Sequence, residues 1–177
     1  VAKIDFKKKG SKHMAVVLDV HLLCNRMIKI SVIKNFFRSY KIKIDSICSI
    51  ENWLWENEKK IKNLDCIAQI VNQNKIIIIK LVCPLFRDLG IYIEKVEKEY
   101  LYTFWFHTEG YPELDCDTIN KKNEIYYKKI EQSIFYLQKI ETNLLKIAGI
   151  GIESDFYYSK NILDIVQKSY NMLLWIF

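Results

Sequence analysis

The chain has 177 residues, of which half are hydrophobic and 14% aromatic, and it contains only five glycines and two prolines. This composition excludes a disordered or low-complexity protein, and the length predicts one domain with a single core. The formal net charge is +6, but five lysines and one aspartate in the first 14 residues contribute +4 of it. Because the rest of the chain is close to neutral, nucleic acid is not a favoured partner.

Residues 1–13 differ in character from the rest of the chain. They are rich in lysine, and Gly10-Ser11 and His13-Met14 stand directly before the first apolar run. This pattern is typical of an added leader joined to a native start at Met14, or of a disordered basic segment. We therefore expect the folded domain to comprise residues 14–177.

The five cysteines are widely spaced and form no Cys-x-x-Cys or Cys/His pattern. The sequence therefore predicts neither a metal site nor a bound cofactor. Free thiols fit a reducing compartment, which favours a cytoplasmic protein. The longest apolar run, residues 76–86, is interrupted by Lys80 and Pro84. It is far shorter than the ~20 residues of a membrane helix, so we expect a soluble protein.

The first quarter of the chain predicts a strand, a helix and a second strand. Residues 15–24 are apolar and rich in valine, which favours a strand. In residues 25–39 the apolar side chains recur at helical spacing and indicate an amphipathic helix. Residues 40–47 alternate apolar and polar side chains, the pattern of a half-buried strand.

A second helix is predicted over residues 51–63. Ser49 offers a helix N-cap, and Glu51 places an acid in the first turn, where the helix dipole favours negative charge. On this interpretation Trp53 and Leu54 face the core.

Four strands are predicted next, arranged as two hairpins. Residues 64–71 and 75–82 are expected to pair around Asn72-Gln73-Asn74, because asparagine tolerates the left-handed backbone of a tight turn. Residues 90–96 and 100–107 form the second hairpin. Its second strand is almost entirely aromatic or β-branched, so it should lie in the middle of the sheet with both faces covered.

The last third of the chain predicts a helix over residues 118–140, a strand over residues 144–153 and a final helix over residues 162–176. The chain ends on six apolar residues, 172–177. We expect this end to pack on the sheet of the same chain, near the strand of residues 144–153. The alternative is that this end is an exposed patch that forms a homodimer or docks on a partner.

The predicted order of elements is β-α-β-α-ββββ-α-β-α. Strands that follow one another through hairpins form antiparallel sheets. The sequence therefore predicts a single α+β domain with a largely antiparallel sheet flanked by helices.

The stretch that follows the aromatic strand is the candidate partner-binding site. Gly110 and Pro112 force a turn there, and four carboxylates crowd the same loop. The loop lacks the ligand spacing of a calcium site, which disfavours a metal. A solvated, helix-capping loop and a pair of acid–base carboxylates are the other interpretations. The candidate residues are Trp105, His107, Glu109, Tyr111, Glu113, Asp115 and Asp117.

His107 is the best candidate for a general base, with Glu109 or Asp115 able to orient it. No serine or cysteine nucleophile lies in a recognisable motif, and the usual phosphate-binding, dinucleotide-binding and metalloprotease motifs are absent from the sequence. His21 has less support than His107. The sequence therefore favours a protein that is not an enzyme, and an enzyme based on His107 is the alternative.

Several aromatic residues offer either a base-stacking platform, an interface hot spot or ordinary core packing. They are Trp53, Trp55, Trp105, Tyr111, Tyr126 and Tyr127. The lysines of the predicted helices alternate with glutamates, which is the pattern of a solvated helix face rather than of a nucleic-acid-binding surface.

With YLYTFWFHTEGYPELDCD (residues 100–117) followed by a long helix, the chain resembles the small α+β immunity proteins of bacterial polymorphic and contact-dependent growth inhibition toxin systems. The resemblance covers residues 14–177. It lies in the aromatic strands, the acidic loop and the absence of a catalytic motif, and no diagnostic motif is matched residue by residue. It implies a cytoplasmic protein that neutralises a cognate toxin by direct binding. A phage- or defence-associated interaction protein is a further alternative.

Overall fold

The computed structural model describes residues 16–84 and 88–177. The predicted leader, residues 1–13, lies outside the described residues. In chain order the elements are β1 (Val17–Cys24), α1 (Ile30–Ser39), β2 (Lys43–Ile50), β3 (Lys59–Lys60), α2 (Ile67–Val71), β4 (Ile76–Val82), β5 (Leu89–Val96), β6 (Glu99–His107), α3 (Glu124–Ile140), β7 (Leu145–Asp155), α4 (Ile162–Lys168) and β8 (Tyr170–Ile176).

The eight strands form one antiparallel sheet in the order β3-β2-β4-β5-β6-β1-β7-β8. β1 comes first in the chain but pairs with β6 on one side and β7 on the other. Its side chains are buried along nearly the whole strand, as expected of a strand with neighbours on both sides. The sheet therefore places residues of β1 beside residues more than 80 positions away.

The main core lies between one face of the sheet and the helices α1, α2 and α3. Tyr102 of β6 is buried in this core, and its hydroxyl accepts a hydrogen bond from the backbone N–H of Ile28 (2.9 Å), so that the hydroxyl is satisfied there. The helices contribute Ile33, Phe37, Ile67, Val71, Tyr127 and Ile134. We call this side of the sheet the helix face.

The opposite side, here called the second face, is covered differently. Ile165 of α4 packs on Leu23, Leu101 and Ile147 at one end. A smaller cluster of Ile50, Ile76 and Ile78 lies at the other end. Among the described elements no helix covers the strip between the two clusters, and the candidate site lies on that strip.

The structure confirms the α+β class and the antiparallel sheet. The hairpin predicted over residues 90–107 is present as β5 and β6, and β6 lies in the middle of the sheet. The helix predicted from residue 118 begins at Glu124. Before it, Asn123 holds a turn, since its Oδ1 accepts from the N–H of Asn120 (2.7 Å) and its Nδ2 donates to the carbonyl of Thr118 (3.0 Å).

The helix predicted over residues 51–63 is wrong. Most of this segment forms turns, followed by the two residues of β3. The Oδ1 of Asn52 accepts from the N–H of Leu54 (3.0 Å), and this kind of bond competes with helix formation. Trp55 and Asn57 have positive φ angles of 61° and 53°, which a right-handed helix does not allow. Leu54, which was expected in the core, is 81% exposed.

The strand predicted over residues 64–71 is also wrong. The segment forms a 3₁₀ turn and then α2. Asn63 caps the turn because its Oδ1 accepts from the N–H of Asp65 (2.8 Å). Ile67 and Val71, four residues apart, then reach the helix-face core together. Asn74 does adopt the left-handed backbone that was expected, with φ of 59°, but it joins a helix to a strand.

The helix predicted over residues 162–176 is correct only in its first half. α4 ends at Lys168, and the chain continues as the strand β8, which pairs with β7. The cap is Asn161, whose Oδ1 accepts from the N–H of Leu163 (3.0 Å). The apolar end does pack against the predicted strand of the same chain, but as an added strand. Without β8, the edge of β7 would leave a row of backbone N–H and C=O groups unpaired. Pairing with β8 satisfies these groups, which favours a strand at this position.

Candidate functional site

The seven predicted partner-binding residues lie on both sides of the sheet. Phe104 packs against the helix-face core. Alternation along β6 therefore directs Trp105 and His107 to the second face. Tyr111 instead packs against the helix-face core and meets Tyr126 of α3, with ring centroids 5.9 Å apart. The structure does not bring the predicted residues together as one surface.

Two of the loop carboxylates are used in hydrogen bonds within the protein, one to α3 and one to the start of the loop. Glu113 accepts a hydrogen bond from the hydroxyl of Tyr126 (2.6 Å), which raises the pKa of that hydroxyl to about 12. Asp115 accepts from the hydroxyl of Thr108. Glu109 and Asp117 are exposed. The loop is therefore in large part a structural connection that fixes the chain beneath α3.

His107 has no carboxylate partner among the residues that the structure describes. Its ring meets Trp105 edge to face, with centroids 6.1 Å apart. Asp115, one of the two acids expected to orient it, is bound to Thr108 instead. The acid–base pair on which the enzyme interpretation depends is not formed.

A different set of polar side chains converges on the second face. Strand register places His21 opposite Thr103 and Asp19 opposite Trp105. The same register places Tyr92 on the other side of Thr103. Three strands, β1 and the distant hairpin of β5 and β6, thus bring one acid, one histidine and two aromatic rings to the same strip.

His21 is held by two hydroxyl groups. Its Nδ1 lies 3.0 Å from Oγ1 of Thr103, and its Nε2 lies 3.0 Å from Oγ of Ser154. The side chain is only 4% exposed. Burial lowers the pKa of His21 to about 4, because the low dielectric of the interior disfavours the charged ring. His21 is therefore neutral at physiological pH.

Asp19 is 8% exposed and lies beside this pair. Its Oδ2 accepts from the backbone N–H of Ser154 (2.9 Å). Burial raises the pKa of Asp19 to about 6, and the nearby Glu153 adds to the increase, although the bonds from Ser154 oppose it. Within the described residues no lysine or arginine forms an ion pair with Asp19. A buried acid without a counterion costs stability and is a recognised mark of functional sites.

The arrangement is not a nucleophilic triad. Such a triad needs a carboxylate on the second nitrogen of the histidine, where it stabilises the imidazolium. Here the second nitrogen of His21 faces Thr103, and Asp19 contacts Ser154. The geometry of a triad for acyl transfer is therefore not formed by these residues.

These residues line a cleft of about 250 Å³ on the second face. Three of the lining side chains are carboxylates, three are large aromatic rings, and none is lysine or arginine. Pockets for drug-sized ligands have volumes of about 300–1,000 Å³, so this cleft is smaller than they are. Its lining residues are Asp19, His21, Trp53, Tyr92, Glu94, Leu101, Thr103, Ser154, Asp155 and Phe156.

One wall of the cleft belongs to residues 51–58, here called the WLW loop after Trp53-Leu54-Trp55. Asn52 organises the loop, since its Nδ2 donates to Glu56 (2.6 Å) and its backbone carbonyl accepts from the N–H of Trp55 (3.0 Å). The Nδ2 of Asn57 also donates to the carboxylate of Glu51 (2.7 Å). The loop is thus held by its own polar groups, and Trp53 in addition anchors it to β5 through Tyr92 and Glu94.

The WLW loop presents large apolar side chains to solvent. Leu54 is 81% exposed, Trp53 49% and Trp55 47%. The ring of Trp53 meets Tyr92 edge to face at 5.1 Å, and Tyr92 stacks on Trp105 at 5.8 Å. A continuous aromatic surface therefore runs from the loop across β5 and β6.

Sequence reasoning missed Asp19, Glu94 and Ser154 and gave His21 little weight. One signal was available, because Asp19 and His21 are the two polar residues of an otherwise apolar strand and lie two positions apart. That spacing places both on one face. Glu94 and Ser154 carry no comparable signal, because only the strand register brings them to β1.

Within the described residues, no group of three or more His, Cys, Asp or Glu side chains is placed to hold a metal ion. No helix in the same residues has the length and apolar character to cross a membrane. No family model, curated protein or solved structure matches this chain.

Proposed function

We propose that this protein is a non-enzymatic binding protein that acts on another protein through the WLW loop and the adjoining cleft. One observation carries the proposal: an internally hydrogen-bonded loop holds Trp53, Leu54 and Trp55 exposed beside an acidic cleft. Contiguous exposed apolar side chains rimmed by polar residues are typical of protein interaction sites.

The energetics favour a protein partner. Burying one large apolar side chain contributes about 1.5–3 kcal/mol, and tryptophan is the residue most enriched among interface hot spots. A loop that is already fixed loses little conformational entropy on binding. The hydrogen bonds of Asn52 and Asn57 therefore support affinity without contacting the partner.

Charge favours a basic partner. The cleft contributes Asp19, Glu94 and Asp155, and no cationic side chain lines it. Glu56 and Glu58 of the WLW loop are also exposed. Such complementarity speeds association and selects against acidic surfaces.

A specific role follows from combining this surface with the sequence resemblance. We propose that the protein is an immunity protein that neutralises a bacterial toxin by covering a basic surface of it. The five cysteines are free, which supports a reducing, cytoplasmic site of action. The candidate surface is the WLW loop with the cleft, and the acidic loop of residues 109–117 is secondary to it.

A growth test addresses this role. The protein is co-expressed in a bacterial host with the product of the adjacent upstream gene, whose toxicity is measured first without it. Wild type is expected to restore growth, and Leu54→Ser is expected to lose protection. Leu163→Ser is the matched control, since Leu163 is also exposed (66%) but lies on α4. Equal protection by both variants contradicts the assigned surface, and no protection by wild type contradicts the immunity role.

A further inference from the structure

The cleft combines the three features of a site for an organic cation. It has carboxylates, it has aromatic walls, and it lacks any lysine or arginine among its lining residues. Aromatic faces attract cations through their quadrupole, and the attraction grows when the cation loses its water. Asp19 supplies a carboxylate that is nearly buried and carries no ion pair within the described residues.

We propose that the cleft binds the guanidinium group of an arginine side chain, between the carboxylates of Asp19 and Glu94 and the rings of Trp53 and Tyr92. The size of the cleft agrees with this occupant, because about 250 Å³ is below the range for drug-sized ligands and suits a single side chain.

Arginine fits the cleft better than lysine for two reasons. The guanidinium is planar and binds carboxylates with two parallel hydrogen bonds, and it stacks on aromatic rings. It is also more weakly hydrated than an ammonium group. The second property matters here because Asp19 is almost fully buried, so that an occupant that reaches it must lose water.

Glu94 provides the second carboxylate of the cleft. It lies on β5 two positions after Tyr92 and therefore projects to the same second face, where it lines the cleft. Burial raises the pKa of Glu94, and a hydrogen bond that its carboxylate accepts from the side chain of Trp53 partly opposes the increase. Asp19 has a raised pKa for the same reason. A bound cation would favour the ionised form of both groups.

The source of the arginine rests on the proposed function: it is a side chain of the protein partner, inserted when the WLW loop docks. Arginine is among the residues enriched in interface hot spots. The chemistry of the cleft can nevertheless be tested on the free protein, with no partner present.

The test titrates the ¹⁵N-labelled protein with N-acetyl-arginine amide and follows backbone and indole signals by NMR. Saturable shifts are expected at Trp53, Tyr92 and Thr103. N-acetyl-citrulline amide, which has nearly the same shape but no charge, is expected to cause none. N-acetyl-lysine amide is expected to bind several-fold more weakly. Equal binding of citrulline or lysine overturns the assignment, as does the absence of shifts with arginine.

Variants locate the site. Glu94→Gln removes one charge-assisted hydrogen bond, for which about a tenfold loss of arginine affinity is expected. Glu109→Gln is the control, since Glu109 is exposed in the other acidic loop, and it is expected to leave the affinity unchanged. Loss in both variants, or in neither, overturns the assignment. The arginine titration uses no partner protein, and the growth test uses no free arginine. Either proposal can therefore fail while the other holds.

Discussion

Asp19 and Ser154 are 135 residues apart in sequence, yet Oδ2 of Asp19 accepts a hydrogen bond from the backbone N–H of Ser154 at 2.9 Å. The contact exists because β1 lies directly against β7. It holds a carboxylate inside the second face with no cation to balance it among the described residues. The sheet topology therefore creates a site that is unfavourable for stability and suited to a positively charged ligand.

Replacing Asp19 should stabilise the protein at neutral and alkaline pH. The folded-state pKa is about 6 against an ordinary value of 3.8, so the ionised carboxylate costs up to about 3 kcal/mol, at 1.36 kcal/mol per pKa unit. In Asp19→Asn the amide oxygen can still accept from Ser154, and no charge is buried. Urea unfolding at pH 8 is expected to show a higher free energy of unfolding. At pH 4 the gain should largely vanish, because wild-type Asp19 is then protonated. A variant that is less stable at pH 8 contradicts this account.

Asp19→Asn should also reveal the pH dependence of stability that His21 contributes, which has the opposite sign to that of Asp19. Its folded-state pKa is lowered to about 4 from 6.5, so the unfolded chain takes up a proton first as pH falls. Stability due to His21 is therefore lost between pH 6.5 and 4. Asp19 offsets this in wild type, because stability linked to it rises as pH falls from 6 to 4. Unfolding measured across this range should give a flatter profile for wild type than for Asp19→Asn. Parallel profiles would show that the two groups do not titrate as described.

The added strand β8 should be needed for folding. Ile176 is buried against the main core, whereas its neighbour Phe177 is 69% exposed. Ile176→Ala is expected to lower the free energy of unfolding by about 2–5 kcal/mol, the usual cost of such a cavity. Phe177→Ala should change it by less than about 0.5 kcal/mol. Truncation after Asn171 should give unfolded or insoluble protein. A truncated chain that stays folded would assign β8 to an interface instead of the core.

The sequence predicted those elements whose pattern is strong over a long stretch. The hairpin of β5 and β6 and the helix α3 have clear alternation or helical spacing, and both are present. β8 was predicted as a helix because a short apolar run such as residues 172–177 is compatible with either structure. The free edge of β7 decides between them, and that edge cannot be seen in the local sequence.

The WLW loop was missed for a related reason. Ser49 and Glu51 match a helix start, but the side chain of Asn52 bonds to the N–H of Leu54 and closes a turn instead. The cleft was missed because it depends on register: Tyr92 and Thr103 reach His21 only through the pairing of three strands. A sequence reader sees the aromatic and acidic residues but not which of them share a face.

The most direct test of the central claim is hydrogen–deuterium exchange on the complex with the protein partner that passes the growth test. Each peptide of the bound protein is compared with the same peptide of the free protein. Binding through the WLW loop predicts slower exchange in residues 51–58 and in the β5 and β6 peptides that line the cleft, with residues 109–117 unchanged. Slower exchange in residues 109–117 with no change in residues 51–58 would contradict the account and return the binding surface to the acidic loop.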